Sequence, residues 1–154
     1  MKKILVVYHS QQAGNTRKMA ELVAEGARQV AGVEVQVVNV NETRVDIDAV
    51  EAADAYALGS PDYFSYVAGG LKQFFDDVYI AHHAGRKVQG KPCALFLTHG
   101  GGGAAIQSLE SLAKAVALEP VADSLVSKGA PSGPMEQQSR QLGEKLAEHL
   151  TASG

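Results

Sequence analysis

The chain has 154 residues, 45% of them hydrophobic and 20% charged, and a formal net charge of −3. These values suit one soluble domain, residues 1–154, with a core of ordinary size; they exclude a disordered chain, and the weak acidity excludes a general basic surface for nucleic acid. The single cysteine, Cys93, excludes an internal disulfide, a cysteine-held iron–sulfur cluster and a Cys-rich zinc site. No apolar run reaches the roughly 18 residues of a membrane span, and the run behind Met1-Lys2-Lys3 is too brief for a secretion signal. A cytoplasmic protein with no membrane or nucleic-acid partner is expected.

In chain order, Lys3 to Tyr8 (KILVVY) is β-branched and apolar on both faces, the mark of a strand covered by helices on both sides. A polar loop follows, then a helix with Met19, Leu22, Val23, Ala27 and Val30 on one face, closed by Gly32. Glu34 to Val40 alternates as a second strand. Ile47 to Ala53 predicts a short helix, Ala55 to Gly59 a third strand, Ser60 to Ser65 a loop, and Tyr66 to Val78 a helix. Cys93 to Thr98 is a fourth buried strand, and Ile106, Leu109, Leu112, Ala113 and Val116 mark the helix after it. Pro120 to Val126 is a weaker fifth strand, and Met135 to Leu150 the closing helix. Strict alternation predicts an α/β fold: right-handed βαβ units in a doubly wound five-stranded parallel sheet with helices on both faces.

Such sheets bind ligands outside the carboxyl ends of their strands. The loops after strands one, three and four are also the ones of unusual composition. The first, Ser10-Gln11-Gln12-Ala13-Gly14-Asn15-Thr16, gathers five neutral donors around a glycine at a helix N-terminus, where free N–H groups and the dipole favour an anion. One cap needs only one such residue, so phosphate binding is expected. The Gly-Lys-Ser/Thr ending of a nucleoside-triphosphate loop is absent. The second loop, Ser60 to Tyr66, concentrates Tyr63, Phe64 and Tyr66 in a chain that is 6% aromatic, which suits a planar ligand. The third, Thr98-His99 followed by Gly100 to Gly103, lets backbone N–H groups run along a flat polar edge. Gly100, Gly102 and Ala105 also fit a dinucleotide fingerprint, but glycine runs match many patterns.

Together these segments resemble the flavodoxin-like flavoproteins, which include electron-carrier flavodoxins and FMN-dependent NAD(P)H:quinone reductases. The resemblance runs from Lys2 to about Leu150 and rests on VVYHSQQAGNTRKMAE at 6–21, LGSPDYFSYVAGGLKQFFDD at 58–77 and LTHGGGGAAIQSL at 97–109. It implies strand order 2-1-3-4-5 and bound FMN. Ser10, Gln11, Gln12, Gly14, Asn15 and Thr16, with Ala13 among them, would hold the phosphate. Ser60, Pro61, Asp62, Tyr63 and Phe64 would line one side of the flavin ring, and Thr98, His99, Gly100, Gly101 and Gly102 the other. Two departures stand out: the first loop is one residue longer than the family's Ser-x-Thr-Gly-x-Thr and lacks its middle threonine, and the chain has no tryptophan to stack on the ring.

The GSPxxF-like second loop and THGGG third loop look more like quinone reductases than electron carriers, implying electron flow from NAD(P)H through FMN to a quinone-like acceptor. The alternative is a non-enzymatic carrier docking on redox partner proteins; such carriers are strongly acidic around the flavin, and −3 is modest for that. The family also includes homo-oligomers. No side chain need act as a catalytic acid or base, because the flavin carries the chemistry. Asp62 beside the ring is expected to disfavour the anionic reduced flavin. No metal site is expected: His9, His82, His83 and His149 read as solvated surface residues, with His99 alone near the flavin, and Cys93 as an inert core residue.

Overall fold

The computed structural model describes residues 1–11 and 13–152. Five parallel positions form the sheet. Strand β1 (Lys2–Tyr8) lies between β2 (Val33–Asn39) and β3 (Ala55–Tyr63), and β5 (Pro92–His99) lies beyond β3. The far edge is made of two short strands, β6 (Glu119–Pro120) and β7 (Leu125–Lys128), both parallel to β5. A two-residue strand, β4 (Tyr66–Val67), folds back antiparallel onto the end of β3. With that hairpin arm set aside and β6 and β7 counted as one interrupted strand, the order is the 2-1-3-4-5 that the resemblance implied.

Alternation along β1 explains the layering. Ile4, Val6 and Tyr8 enter one core with Met19, Val23 and Ala27 of α1 (Asn15–Arg28) and Leu142 and Leu146 of α5 (Pro134–Ala152). Leu5 and Val7 enter the other, with Val50 of α2 (Ile47–Ala52), Phe74 and Phe75 of α3 (Gly69–His83) and Leu109 of α4 (Ala105–Ala115). Both faces of the strand are buried, so its near-continuous apolar run has nowhere to be polar. Helices α1 and α5 meet backbone to backbone. A Cβ at Gly26 would lie 1.9 Å from the Arg140 carbonyl oxygen, and one at Gly143 1.9 Å from that of Val23.

Three sequence expectations are corrected. Ser60 to Ser65 is not a loop: β3 runs on to Tyr63 and turns into β4 through Phe64 and Ser65, both left-handed at φ 58° and 60°. The pairing of Tyr63 with Tyr66 makes this a two-residue hairpin turn of the mirror-image type that matches strand twist. Helix α3 therefore starts at Gly69, not Tyr66, and continues to His83. The fifth strand is broken between Pro120 and Leu125, tolerable at an edge where no further ladder depends on it. Among the described residues no helix is long and apolar enough to cross a membrane.

Candidate functional site

The carboxyl ends of β1, β3 and β5 open together on a cleft of about 160 Å³. The first loop supplies Ser10, Gln11, Ala13, Gly14, Asn15 and Thr16; the hairpin supplies Pro61, Asp62 and Tyr63; the end of β5 supplies Thr98, His99 and Gly100. Of the other predicted residues, Gln12 lies outside the described residues. Ser60 is fully buried, its hydroxyl donating to the Pro61 carbonyl (2.7 Å) and accepting the Ala68 N–H (2.9 Å). Phe64 points away into solvent, and Gly101 and Gly102 do not line the cleft. A wider hollow of about 870 Å³ adjoins it on the β2 side, adding Arg17, a helper to the phosphate donors in the sequence reading, and Asn41 and Glu42, which sequence reasoning had not singled out.

At one end of the cleft, α1 begins after Gly14, which is left-handed (φ 71°) and has no side chain to cap the helix. Among the described residues nothing accepts from the N–H groups of Asn15 or Thr16; that of Arg17 is met by the Ser10 hydroxyl at 3.2 Å. The Thr16 hydroxyl turns inward and lies 2.7 Å from that of Thr98. The loop is clamped from outside. The buried Asn39 carboxamide accepts from the Ser10 N–H and donates to the Ser10 carbonyl, both at 3.0 Å. Asn39 was legible only as the last polar residue of an apolar strand.

The hairpin wall is held by two side chains. Tyr63 donates its hydroxyl to the Gln11 side-chain oxygen (2.7 Å) and meets His9 ring edge to face, centroids 5.9 Å apart. Asp62 accepts the Ser65 N–H at 2.9 Å through one oxygen and the Ala105 N–H, at the start of α4, at 3.2 Å through the other. One carboxylate thus ties the hairpin turn to the helix that follows the glycine run.

His9 corrects a further expectation. It is not solvated but 5% exposed, because α3 starts directly against it: its Nδ1 accepts the Gly70 N–H at 3.1 Å. A Cβ on Gly70 would approach that nitrogen to 2.7 Å and the Val40 carbonyl oxygen to 2.5 Å, so only glycine fits. Burial pushes the His9 pKa down, and the imidazole is neutral with its proton on Nε2, an atom without a partner among the described residues. On the opposite wall the Nδ1 of His99 is likewise buried without a partner. Left-handed Gly103 makes room for that ring, since a Cβ there would lie 3.1 Å from it. Elsewhere, His82, His83 and His149 are exposed, and the buried Cys93 thiol is pushed up to about 12 by burial.

Residues 2–127 match the family model described as NADPH-dependent FMN reductase. The chain belongs to that family. It is a flavodoxin-like flavoprotein, and FMN is its cofactor. It is 44% identical over 104 residues to a flavodoxin of Aquifex aeolicus, a stretch covering 67% of this chain and 53% of that protein, so this chain spans about half of that relative's length. It is 34% identical over 136 residues to an NAD(P)H dehydrogenase (quinone) of Archaeoglobus fulgidus, covering 71% of this chain and 70% of that protein. A solved flavodoxin from the domain Archaea has a TM-score of 0.84 at 28% identity, over 97% of this chain and 99% of that one. The flavodiiron protein of Giardia intestinalis shares the fold alone: TM-score 0.85 at 21% identity, over 99% of this chain and 37% of that one.

The flavoprotein's own residues fit FMN. Among the described residues the Asn15 and Thr16 N–H groups at the start of α1 have no acceptor, which suits a phosphate, and the His99 Nδ1 has no partner, which suits a polar ring edge. The glycines between need no side-chain space, since a Cβ on Gly100 would meet nothing within 4 Å.

Proposed function

We propose that residues 1–154 act as one FMN-binding domain of an oxidoreductase that takes electrons from NAD(P)H and passes them to a quinone-like acceptor. The start of α1 holds the cofactor phosphate through the N–H groups of Asn15 and Thr16, with Ser10 steadying the turn. Tyr63 and Asp62 form one ring wall, and His99 and Gly100 the other. FMN supplies the redox step when bound. The chain fixes the ring between its walls, keeps a partner at His99 for its edge, and leaves the acceptor side open.

The observation that carries the reading is the convergence of the first loop, the β3–β4 hairpin and the end of β5 on one cleft, with polar groups at both ends that have no partner among the described residues. The rim argues for a small-molecule acceptor over a docking protein. At the rim Arg17 is paired with Glu42 at 2.6 Å, and a formal net charge of only −3 leaves little field to steer a basic partner. The flavodoxin relatives favour the second reading, an electron carrier.

An anaerobic test separates the two. FMN-loaded protein is mixed with NADPH or NADH and the oxidised-flavin absorbance is followed. Rapid bleaching that a quinone reverses supports the reductase. Flavin that stays oxidised until a separate reductase is added supports the carrier, and failure to bind FMN rejects both.

A further inference from the structure

Two buried hydroxyls meet in the cleft, one from the start of α1 and one from the end of β5. Thr16 is the second residue of α1 and is 2% exposed; Thr98 stands at the end of β5 and is 3% exposed. Their oxygens are 2.7 Å apart across 82 residues of sequence, and among the described residues neither hydroxyl has another hydrogen-bond partner. Such a pair has two protons and one bond, so one proton is left over. If Thr16 donates to Thr98, it turns a lone pair towards the start of α1. If Thr98 donates to Thr16, the Thr16 proton is free to point there. An anion at the helix start selects the second arrangement, because a lone pair facing it would be repelled while a proton is a charge-assisted donor.

We propose that Thr98, which by position belongs to the ring wall, acts instead at the phosphate: it donates to Thr16, and so holds the Thr16 hydroxyl with its proton turned to the cofactor phosphate. Thr98 is a positioning residue for phosphate recognition and a determinant of the preference for FMN over the phosphate-free riboflavin. The proposal rests on the reading of the first loop as the phosphate site.

The test compares FMN with riboflavin. Each is titrated by flavin-fluorescence quenching into apoprotein of the wild type, Thr98→Val and Thr98→Ser. Valine keeps the shape and the β-branching but removes the hydroxyl; serine keeps the hydroxyl. Thr98→Val is expected to weaken FMN binding about tenfold, the effect of one lost hydrogen bond to a group that contacts charge, and to leave riboflavin binding within about twofold. Thr98→Ser is expected to restore FMN binding. Both ligands are measured on one preparation, so loss of folded protein cancels in their ratio. Thr98→Ala, which cannot overpack the site, should give the same ratio as valine.

Equal weakening of FMN and riboflavin would make Thr98 a ring-wall residue and overturn the proposal, and so would no weakening of either. Thr16→Val supplies a second reading: with Thr16 already removed, adding Thr98→Val should cost FMN nothing further, and an additive loss overturns the coupling. A wild type that binds riboflavin as tightly as FMN would instead remove the phosphate site itself, and this proposal with it.

Discussion

Asp62→Asn separates two accounts of one carboxylate. The sequence suggests an electrostatic role, a negative charge beside the ring that disfavours the anionic reduced flavin. The structure gives it a mechanical one, because each oxygen accepts a backbone N–H, from Ser65 in the hairpin turn and from Ala105 at the head of α4. Asparagine keeps a single oxygen acceptor, and its NH2 group would face the second N–H, donor against donor. A hydrogen bond to a charged acceptor is worth about 1.5–3 kcal/mol, and Asp62 is half-buried, which argues for the lower figure. If both walls must be in place to hold the ring, about 1.5 kcal/mol comes off the binding of FMN, an affinity roughly tenfold weaker. Titration of apoprotein with oxidised FMN measures that loss, and equilibration with reference dyes gives the midpoint potential. A clasp weakens the oxidised and reduced complexes alike, so the potential should hold while the Kd rises. Unchanged affinity for oxidised FMN together with a raised potential would refute the clasp and restore the electrostatic account.

Three further outcomes are expected. Gly26→Ala forces a methyl to within 1.9 Å of the Arg140 carbonyl oxygen, so α1 and α5 must move apart; overpacking of about 2–3 kcal/mol should outweigh the roughly 1 kcal/mol gained in helix propensity. At about 2–4 °C per kcal/mol for a chain of this size, the thermal midpoint should fall by several degrees, and an unchanged midpoint would contradict the close approach. His9 has its pKa lowered by burial, so the unfolded chain takes up a proton more readily than the folded one. Stability from this group is full above the unfolded value near 6.5 and is lost as pH falls below it towards the folded pKa. His9→Asn, which offers an acceptor to the Gly70 N–H but does not titrate, should flatten that acid limb in urea unfolding between pH 7.5 and 5. Cys93, buried with its thiol pushed up to about 12, should resist a thiol reagent at pH 8 in the native protein and react fully in denaturant.

Where local sequence determined local structure, the chain could be read directly. The runs KILVVY and CALFLT are apolar on both faces because β1 and β5 are covered on both faces. The α3 start was misplaced for a physical reason: its N-cap, Ala68, has no capping side chain, and the first N–H groups are met from a distance, that of Ala68 by Ser60 on β3 and that of Gly70 by His9 beyond β1. No residue near position 69 signals a helix beginning there. The hairpin was hidden in the same way. Its turn positions call for glycine or asparagine, yet Phe64 and Ser65 occupy them, steadied in part by the Asp62 bond to the Ser65 N–H. The burial of His9 also follows from the distant chain that Gly70 brings against it.

The lengthened first loop shows what that dependence means for the site. Within the loop, the Gly14 N–H bonds back to the Gln11 carbonyl and the Ser10 hydroxyl meets the Arg17 N–H. Its placement over the sheet comes from elsewhere: Asn39 on β2 grips both backbone groups of Ser10, Tyr63 on the hairpin holds Gln11, and Thr98 on β5 holds Thr16. Three strands thus each send one side chain to three separate points of the loop. An extra residue in such a loop can be absorbed between fixed points, around Gly14 with its left-handed backbone, without moving the start of α1. The spacing of a phosphate-loop motif is therefore a weaker constraint on this site than the identities of Asn39, Tyr63 and Thr98, of which only the last two lie in segments that carry the family resemblance.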